Sequence, residues 1–364
     1  MASSLSNYDQ VLMIINLVLF YSLILLHGYA RASTPPAMYV FGDSLADVGN
    51  NDHIHLSLLK ANFPHNGIDY PGHKATGRFS NGKNAVDFLA ENLGLASPPP
   101  YLNITSKTNK TQAFINGVNF ASGGAGVLDS TNKDQCLSFN IQINYYSTVF
   151  TTLSQQLGST EAELHLSKSI FTFLIGSNDI FAYNPSKTNL SPQQFVDSLI
   201  STLQGQLKTL YNLGARKFLF IGAGPIGCCP SQRAKSKTKD CNAVTDNLSI
   251  LYNKGTASLL AEMKSSFSGF SYSFFDTSSA LLQYIQNPAS YGFTETKAAC
   301  CGIGNMNAKL ACIPLSTYCS DRKKFIFWDP YHPTEAAAGL LANTAVNGAP
   351  PLVFPVNAKQ LSSL

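Results

Sequence analysis

Short apolar runs recur along the chain and alternate with longer segments in which apolar and polar residues follow a helical period. Each short run is apolar on both faces and is followed within two residues by Gly, Ser or Asp. This pattern is typical of parallel strands that are covered by helices on both sides. It predicts five strands: Ala37–Phe41, Gly117–Phe120, Ile170–Ile175, Lys217–Ile221 and Tyr272–Phe275.

The longer segments between these runs are predicted helices. They are Asn84–Leu93, Gln142–Leu157, Ser191–Leu213, Ala243–Ser266 and Glu335–Val346. The third begins Ser-Pro-Gln-Gln, which supplies an N-cap and a proline at the first helical position. There is no internal repeat and no break in composition, so the alternation predicts one α/β domain with a doubly wound parallel sheet of roughly five strands.

The N-terminus carries a nearly unbroken apolar run, Val11–Leu26, followed by Ala-Arg-Ala at 30–32. Small residues at these spacings suit signal peptidase, and the run is shorter than the roughly 20 apolar residues of a membrane span. Asp9, with no Lys or Arg before the run, departs from the usual positive start and leaves a retained signal anchor as the alternative. We predict a signal peptide over residues 1–32, a single mature domain over 33–364 and no stable membrane span in the mature chain.

Potential glycosylation sites agree with export. Acceptor sequences for N-linked glycans, each with a residue other than proline in the middle, occur at Asn103, Asn109, Asn189 and Asn247. Such sequences are common by chance, so their weight comes from their agreement with the apolar leader.

The cysteines point to the same compartment. All eight lie from Cys136 onward, and an even number fits disulfides in an oxidising environment. Cys228 with Cys241, and Cys301 with Cys312, are candidate local bridges. The adjacent cysteine pairs lack the spacing of thiolates in a structural zinc site. We therefore expect disulfides and no metal.

Charge excludes one class of partner. The 364 residues are 45% hydrophobic and 13% charged, with a net charge of +4. Basic residues form no dense tract apart from the short Lys235–Lys239 stretch, so we expect no nucleic-acid partner.

The first candidate for chemistry is Ser44. The segment Gly42-Asp43-Ser44-Leu45 follows the first predicted strand directly, which places Ser44 at a strand-to-loop turn. A nucleophilic serine needs such an exposed strand end and a nearby base, because its free hydroxyl is barely ionised. The alternative is a serine that caps a helix, since this residue type is common in caps and turns.

A candidate base lies near the other end of the chain. His332 follows Asp329 by three residues, just before the last predicted helix. At this separation the carboxylate can reach the imidazole across a turn and stabilise the imidazolium that forms when histidine takes the serine proton. A cluster that caps the helix is the alternative.

Two other strand ends offer donors for an oxyanion. Residues 119–126 contain Gly123, Gly124 and Gly126, whose backbone N–H groups a substrate can approach without hindrance from a Cβ. Asn178 follows the third strand and adds a side-chain amide. A glycine-rich loop also suits phosphate, but no Lys-Ser/Thr and no Gly-x-Gly-x-x-Gly spacing accompanies it. We expect no cofactor.

Together the four segments resemble the plant branch of the GDSL esterase/lipase family, the SGNH hydrolases. The family's blocks correspond to residues 41–51, 119–126, 176–179 and 329–335, in the family's order. The resemblance implies a three-layer α/β/α sandwich. It also separates the chain from the α/β-hydrolases, whose Gly-x-Ser-x-Gly nucleophile elbow is absent here.

The resemblance also implies the roles of the residues. Ser44 would attack an ester carbonyl, aided by His332, which Asp329 orients. The oxyanion would be held by the N–H of Ser44, by the Asn178 amide and by a block-two glycine, with Gly126 preferred and Gly124 second.

The function implied is that of a secreted serine hydrolase, in the apoplast or cell wall, that cleaves esters of lipids, acetylated polysaccharides or phenolics. No protein partner is implied. Two alternatives stay open: an acyltransferase that uses the same acyl-enzyme, and a catalytically idle glycan-binding protein.

Overall fold

A six-stranded sheet forms the centre of the computed structural model, which describes Met13, Asn16 and residues 34–104 and 110–364. The strands lie in the order β10-β5-β4-β3-β1-β2. Their bounds are β1 Met38–Gly42, β2 Val118–Asn119, β3 Ile170–Leu174, β4 Lys217–Ile221, β5 Ser271–Phe275 and β10 Val353–Phe354. The first five strands are parallel and match the five predicted ones.

The strand order explains why a site forms at one edge of the sheet. From β1 the chain moves to β2 on one side, and from β3 it moves to β4 on the other. β1 and β3 are neighbours in register, from Met38 opposite Ile170 to Gly42 opposite Leu174. In a doubly wound sheet the loops diverge at such a point and leave a crevice at the carboxyl ends of the strands.

The sixth strand corrects the expected strand number. Val353 and Phe354 pair antiparallel with Phe275 and Phe274 at the edge beyond β5. This strand has only two residues, and they lie between prolines at 351 and 355, so no apolar period marks it in the sequence. It becomes a strand through its tertiary pairing with β5.

Helices cover both faces of the sheet, as the continuous apolar strands predicted. The helices of eight or more residues are α1 Ala85–Asn92, α4 Phe139–Leu157, α5 Ser159–Lys168, α8 Pro192–Asn212, α10 Ala243–Ser266, α11 Thr277–Gln286 and α12 Glu335–Asn347. Shorter ones are α2 Tyr101–Ile104, α3 Lys110–Ile115, α6 Ser177–Ala182, α7 Pro185–Thr188, α9 Pro230–Arg233 and α13 Ala358–Ser363. The five predicted helices correspond to α1, α4, α8, α10 and α12. α5 and α11 lie outside the predicted helices.

Alternate residues of one strand enter two separate cores. Tyr39 and Phe41 of β1 pack in the core beneath α4, α5, α8 and α10. Met38 and Val40 pack in the core beneath α1, α11, α12 and α13. All four side chains are fully buried, so the sheet is the middle of three layers. The α/β/α sandwich with a mostly parallel sheet is therefore confirmed.

A small irregular region precedes α12. Its strands are β6 Glu295–Ala299, β7 Cys301–Gly302, β8 Thr317–Tyr318 and β9 Phe325–Phe327, in two pairs: β6 with β9 and β7 with β8. Two disulfides, Cys300–Cys319 and Cys301–Cys312, join this region around the buried ring of Trp328. The local bridge predicted between Cys301 and Cys312 is confirmed.

The other local bridge, Cys228–Cys241, is also present. It takes up both thiols of the one grouping of possible metal ligands within the described ranges, in which Asp246 is the third member. Cys136 and Cys229 are free and buried. The cysteines are thus mostly paired, as predicted.

The predicted signal peptide and its cleavage site lie outside the described residues, apart from Met13 and Asn16, and so does Asn109. Among the residues that are described, we find no helix with the length and hydrophobicity needed to span a membrane.

Candidate active site

Ser44 lies two residues beyond the end of β1. A Cβ on Gly42 would overlap the carbonyl oxygen of Leu174, so glycine permits the close approach of β1 to β3 at this point. The Gln142 side chain accepts a hydrogen bond from the N–H of Gly42 and donates one to its carbonyl, both at 2.9 Å. These contacts fix the strand end and leave Ser44 half-buried beside the crevice.

A continuous hydrogen-bonded chain joins Ser44, His332 and Asp329. Ser44 Oγ lies 2.7 Å from His332 Nε2. His332 Nδ1 lies 2.8 and 2.7 Å from the two carboxylate oxygens of Asp329. Because an ionised carboxylate only accepts, the neutral imidazole carries its proton on Nδ1 and leaves Nε2 free to accept the serine hydroxyl proton.

The loop that carries the histidine is built by the same carboxylate. Asp329 Oδ1 accepts the backbone N–H groups of Tyr331 and His332 at 2.8 and 2.9 Å. Thr334 then caps α12 by accepting the N–H of Ala337. The exposed fractions of Asp329 and His332 are 5% and 8%, so both side chains are held away from bulk water.

Three residues that line the cleft carry N–H groups with unused hydrogen-bonding capacity. Among the described residues, the backbone N–H groups of Ser44 and Gly124 meet no hydrogen-bond acceptor. Asn178 Nδ2 donates to the carbonyl of Ala125 at 2.9 Å, which uses one of its two hydrogens. Ser44, Gly124 and Asn178 all line the same cleft.

The three glycines after β2 have different surroundings. Gly123 donates its N–H to Asp47 at 2.9 Å and is therefore occupied. Gly124 has a φ of +91°, which a residue with a side chain rarely adopts, and a Cβ there would overlap Leu59. Gly126 is not among the cleft-lining residues; a Cβ on it would lie 2.5 Å from an oxygen of the Asp179 carboxylate.

A buried polar network that the sequence analysis did not single out connects the loops after β1 and β2. Asp47 accepts the N–H groups of Gly49 and Asn50 as well as that of Gly123. The Asn50 side chain donates to the carbonyls of Asn119 and Ala121, both at 2.8 Å. Burial raises the pKa of Asp47 to about 6, and the N–H donors oppose that shift. Polar residues directly after a predicted strand were the available signal for this network.

Asp43, directly before Ser44 in the chain, is another buried carboxyl of this region. Its Oδ1 accepts the N–H of Leu45 at 3.0 Å, whereas its Oδ2 is buried without a hydrogen-bond partner among the described residues. Burial raises the pKa of Asp43 to about 7, and the hydrogen bond from the Leu45 N–H opposes the shift.

The crevice opens into a cavity of about 720 Å³. Ser44, Asp329 and His332 line it, together with apolar side chains from helices and strand ends: Leu89, Ile221, Phe275, Leu281, Leu341 and Ala345. Among the described residues, the carboxylates in its lining are Asp43 and Asp329, both of which are buried. The wall of the cavity is therefore mostly apolar, although Lys60, Lys235, Lys309 and several amide and hydroxyl side chains also line it.

The predicted glycan acceptors are distributed as follows. Asn189 and Asn247 are exposed, and Asn103 is half-buried with a contact to neighbouring residues.

The chain is similar to proteins of a known family. The family model for GDSL-like lipase/acylhydrolase matches residues 38–345. A GDSL esterase/lipase of Arabidopsis thaliana is 42% identical over 344 residues, covering 92% of this chain and 91% of that protein. A second from the same plant is 40% identical over 312 residues, covering 84% and 86%.

A solved structure of a putative GDSL-like lipase from Parabacteroides merdae aligns with a TM-score of 0.38 at 13% identity, over 85% of this chain and 94% of that one.

The family model spans most of the chain. The two plant relatives share 42% and 40% sequence identity with it over 91% and 86% of their own lengths. The chain therefore belongs to the GDSL-like lipase/acylhydrolase family and is a carboxylic ester hydrolase.

Proposed function

We propose that this chain is a secreted serine hydrolase that cleaves lipid esters through an acyl-enzyme on Ser44. The observation that carries the proposal is the unbroken chain from Ser44 Oγ through His332 to Asp329, with each contact at 2.7 to 2.8 Å. This is the geometry that general-base activation of a serine requires.

The reaction follows from these contacts. Ser44 Oγ attacks the ester carbonyl carbon while His332 Nε2 takes the hydroxyl proton. The tetrahedral intermediate collapses, the bond to the alcohol oxygen breaks, and His332 returns its proton to the leaving alcohol. A water molecule then attacks the acyl-enzyme in the same manner, and the carboxylic acid and free Ser44 are regenerated.

The developing oxyanion needs donors that are not already in use. We assign this role to the N–H groups of Ser44 and Gly124 and to the Asn178 amide. Gly124 replaces our first choice, Gly126, because Gly124 lines the cleft whereas Gly126 faces the carboxylate of Asp179. A negative oxygen beside a carboxylate would be destabilised rather than held.

The cavity favours a lipid among the three ester classes. A chamber of about 720 Å³ with an apolar wall would remain mostly empty around the methyl group of an acetylated sugar. A long acyl chain would fill it and remove apolar surface from water, at about 0.8 kcal/mol for each buried CH₂. The apolar leader, the exposed sequons at Asn189 and Asn247 and the three disulfides support export.

A fluorophosphonate probe, which esterifies activated serines, tests the mechanism. Wild type should be labelled on Ser44, and Ser44→Ala should lose labelling and ester hydrolysis together. Ser231→Ala is the matched control, since Ser231 also lines the cleft but its Oγ contacts no partner in the described part of the chain. Labelling that persists in a folded Ser44→Ala variant would refute the assignment. An unlabelled wild type would favour the glycan-binding alternative, and acyl transfer to added glycerol in preference to water would favour the transferase.

A further inference from the structure

We propose that the mouth of this cleft docks on the surface of an anionic lipid layer. The inference rests on the proposed lipid hydrolysis, and it concerns how the protein reaches aggregated substrate rather than how it cleaves the ester. Two segments carry it, rim loop 1 (residues 54–66) and rim loop 2 (residues 303–318).

The two rim loops meet at the mouth. His65 of rim loop 1 lies with its Nε2 3.2 Å from the carbonyl of Pro314 in rim loop 2. Its ring centroid is 4.8 Å from that of Tyr318. Leu58 of the first loop and Ile313 of the second both line the cavity that holds Ser44. The loops are therefore neighbouring parts of one entrance.

Large apolar side chains at this entrance point into solvent. The exposed fractions are 74% for Leu56, 88% for Leu58, 51% for Leu310 and 84% for Leu315. Leu58, Leu315 and Leu56 are the three most exposed large hydrophobic residues of the described chain apart from the terminal region. Several exposed leucines on two loops that meet beside a binding cleft mark an interaction surface, whereas single exposed leucines need no explanation.

The structure holds these leucines outward. The N–H of Leu58 donates to Gln135 Oε1 at 2.9 Å, which anchors rim loop 1 to the body of the protein. Cys301–Cys312 and Cys300–Cys319 tie down rim loop 2. The exposed side chains therefore lie on fixed loops, and docking them requires little ordering of the backbone.

Lysines in the lining of the cleft indicate that the partner surface is anionic. Lys60, Lys235 and Lys309 line the cleft, and none of them forms an ion pair within the part of the chain that the structure describes. The carboxylates of the lining, Asp43 and Asp329, are buried. Rim loops that carry exposed leucines together with Lys60 and Lys309 suit a surface that is apolar inside and anionic at its headgroups.

The apolar tips continue into the apolar cavity. A lipid ester could therefore pass from the layer to Ser44 with its acyl chain shielded from water along the way. Docking would place the entrance against the lipid and so favour aggregated esters over dissolved ones.

The test measures binding of the full-length secreted protein to sedimenting vesicles of phosphatidylcholine, with and without phosphatidylglycerol. The test variant is Leu56→Ser/Leu315→Ser, because neither residue lines the cavity. Leu164→Ser is the matched control. Leu164 is 46% exposed on α5, and α5 leads into the amino end of β3, whereas the cleft lies at the carboxyl ends of the strands.

We expect wild type and Leu164→Ser to bind vesicles containing phosphatidylglycerol, and the double variant to bind at least tenfold more weakly. Lys60→Gln and Lys309→Gln should each weaken binding roughly fivefold, and only when the anionic lipid is present. Hydrolysis of dissolved p-nitrophenyl acetate by the double variant should equal that of wild type.

Three results would overturn the docking proposal: no vesicle binding by wild type, equal loss in Leu164→Ser, or a dimer that the double variant converts to monomer. In each case hydrolysis of dissolved ester still reports on the proposed mechanism. If Ser44 is not the nucleophile, vesicle binding would persist while the labelling experiment failed, so the two proposals fail separately.

Discussion

The floor and the rim of the cleft depart from ordinary protein surfaces in opposite ways. On the floor, Asp329, His332 and Asp43 are polar side chains that line the cleft and are almost fully buried. On the rim, Leu56 and Leu315 are apolar side chains that are largely exposed. Charged residues are rarely buried without partners, and clusters of large apolar residues are rarely left in water.

The difference lies in what compensates each departure. On the floor, Asp329 accepts hydrogen bonds from two backbone N–H groups and from the imidazole, and Asp43 accepts the N–H of Leu45. On the rim, Leu56 and Leu315 stay exposed to solvent in the described part of the chain. The floor thus buries carboxylates that accept hydrogen bonds from the protein, whereas the rim exposes apolar surface.

The strongest test of the floor removes the base. His332→Ala should lower kcat about as much as Ser44→Ala, by roughly 10⁶-fold, because members of a catalytic unit lose function together. The kcat of the Ser44→Ala/His332→Ala variant should be no lower than that of either single variant. Steady-state kinetics on p-nitrophenyl acetate would measure these kcat values. If the two losses in kcat multiplied when both residues were replaced, Ser44 and His332 would not act as one catalytic unit.

A smaller effect is expected from the oxyanion donor. Asn178→Ala should lower kcat by roughly 10²–10³-fold with little change in KM, because the amide acts chiefly on the transition state. A rise in KM with kcat unchanged would instead show that Asn178 binds the ground-state ester.

Asp43 predicts a pH dependence of stability. Between about pH 4 and pH 7 its carboxyl is protonated in the folded chain, where its pKa is raised to about 7, but ionised in the unfolded chain. The unfolded state then binds fewer protons, so this group lowers the unfolding free energy as pH rises, by up to about 1.4 kcal/mol per unit.

Asp43→Asn should therefore gain stability over wild type as pH rises from 4 to 7, as measured by urea unfolding at several pH values. The exposed carboxylate of Asp240 supplies the control Asp240→Asn. A constant difference between Asp43→Asn and wild type across this range would show that Asp43 is ionised in the fold.

The smallest effect concerns the disulfides of the rim. Replacing Cys301 and Cys312 by serine should lower the unfolding free energy by about 3 kcal/mol and open rim loop 2 to limited proteolysis. The Cys228–Cys241 disulfide joins residues 13 positions apart, compared with 11 for Cys301–Cys312. Removing it should lower the unfolding free energy by a similar amount without new cleavage in rim loop 2. If the protease cut rim loop 2 in both variants, the protection of this loop would depend on global stability alone.

Local patterns of apolar residues were sufficient to predict the strands of the parallel sheet. Continuous apolar runs such as Ile170–Ile175 and Lys217–Ile221 predicted β3 and β4, because a strand buried on both faces must be apolar at every position. Capping residues likewise placed α8 to within about two residues. The antiparallel strand Val353–Phe354 escaped prediction because two residues carry no period.

The sequence by itself determined which residue types stand at the strand ends: Ser44 after β1, three glycines after β2 and Asn178 after β3. Only the tertiary structure decided which glycine faces the cleft, since Gly123 is bound to Asp47 and Gly126 lies against Asp179. It also decided the 2.7 Å approach of Ser44 to His332, 288 positions apart along the chain. The physical reason is that apolar periodicity reports burial along one segment, whereas a catalytic distance depends on how separate segments pack around a shared core.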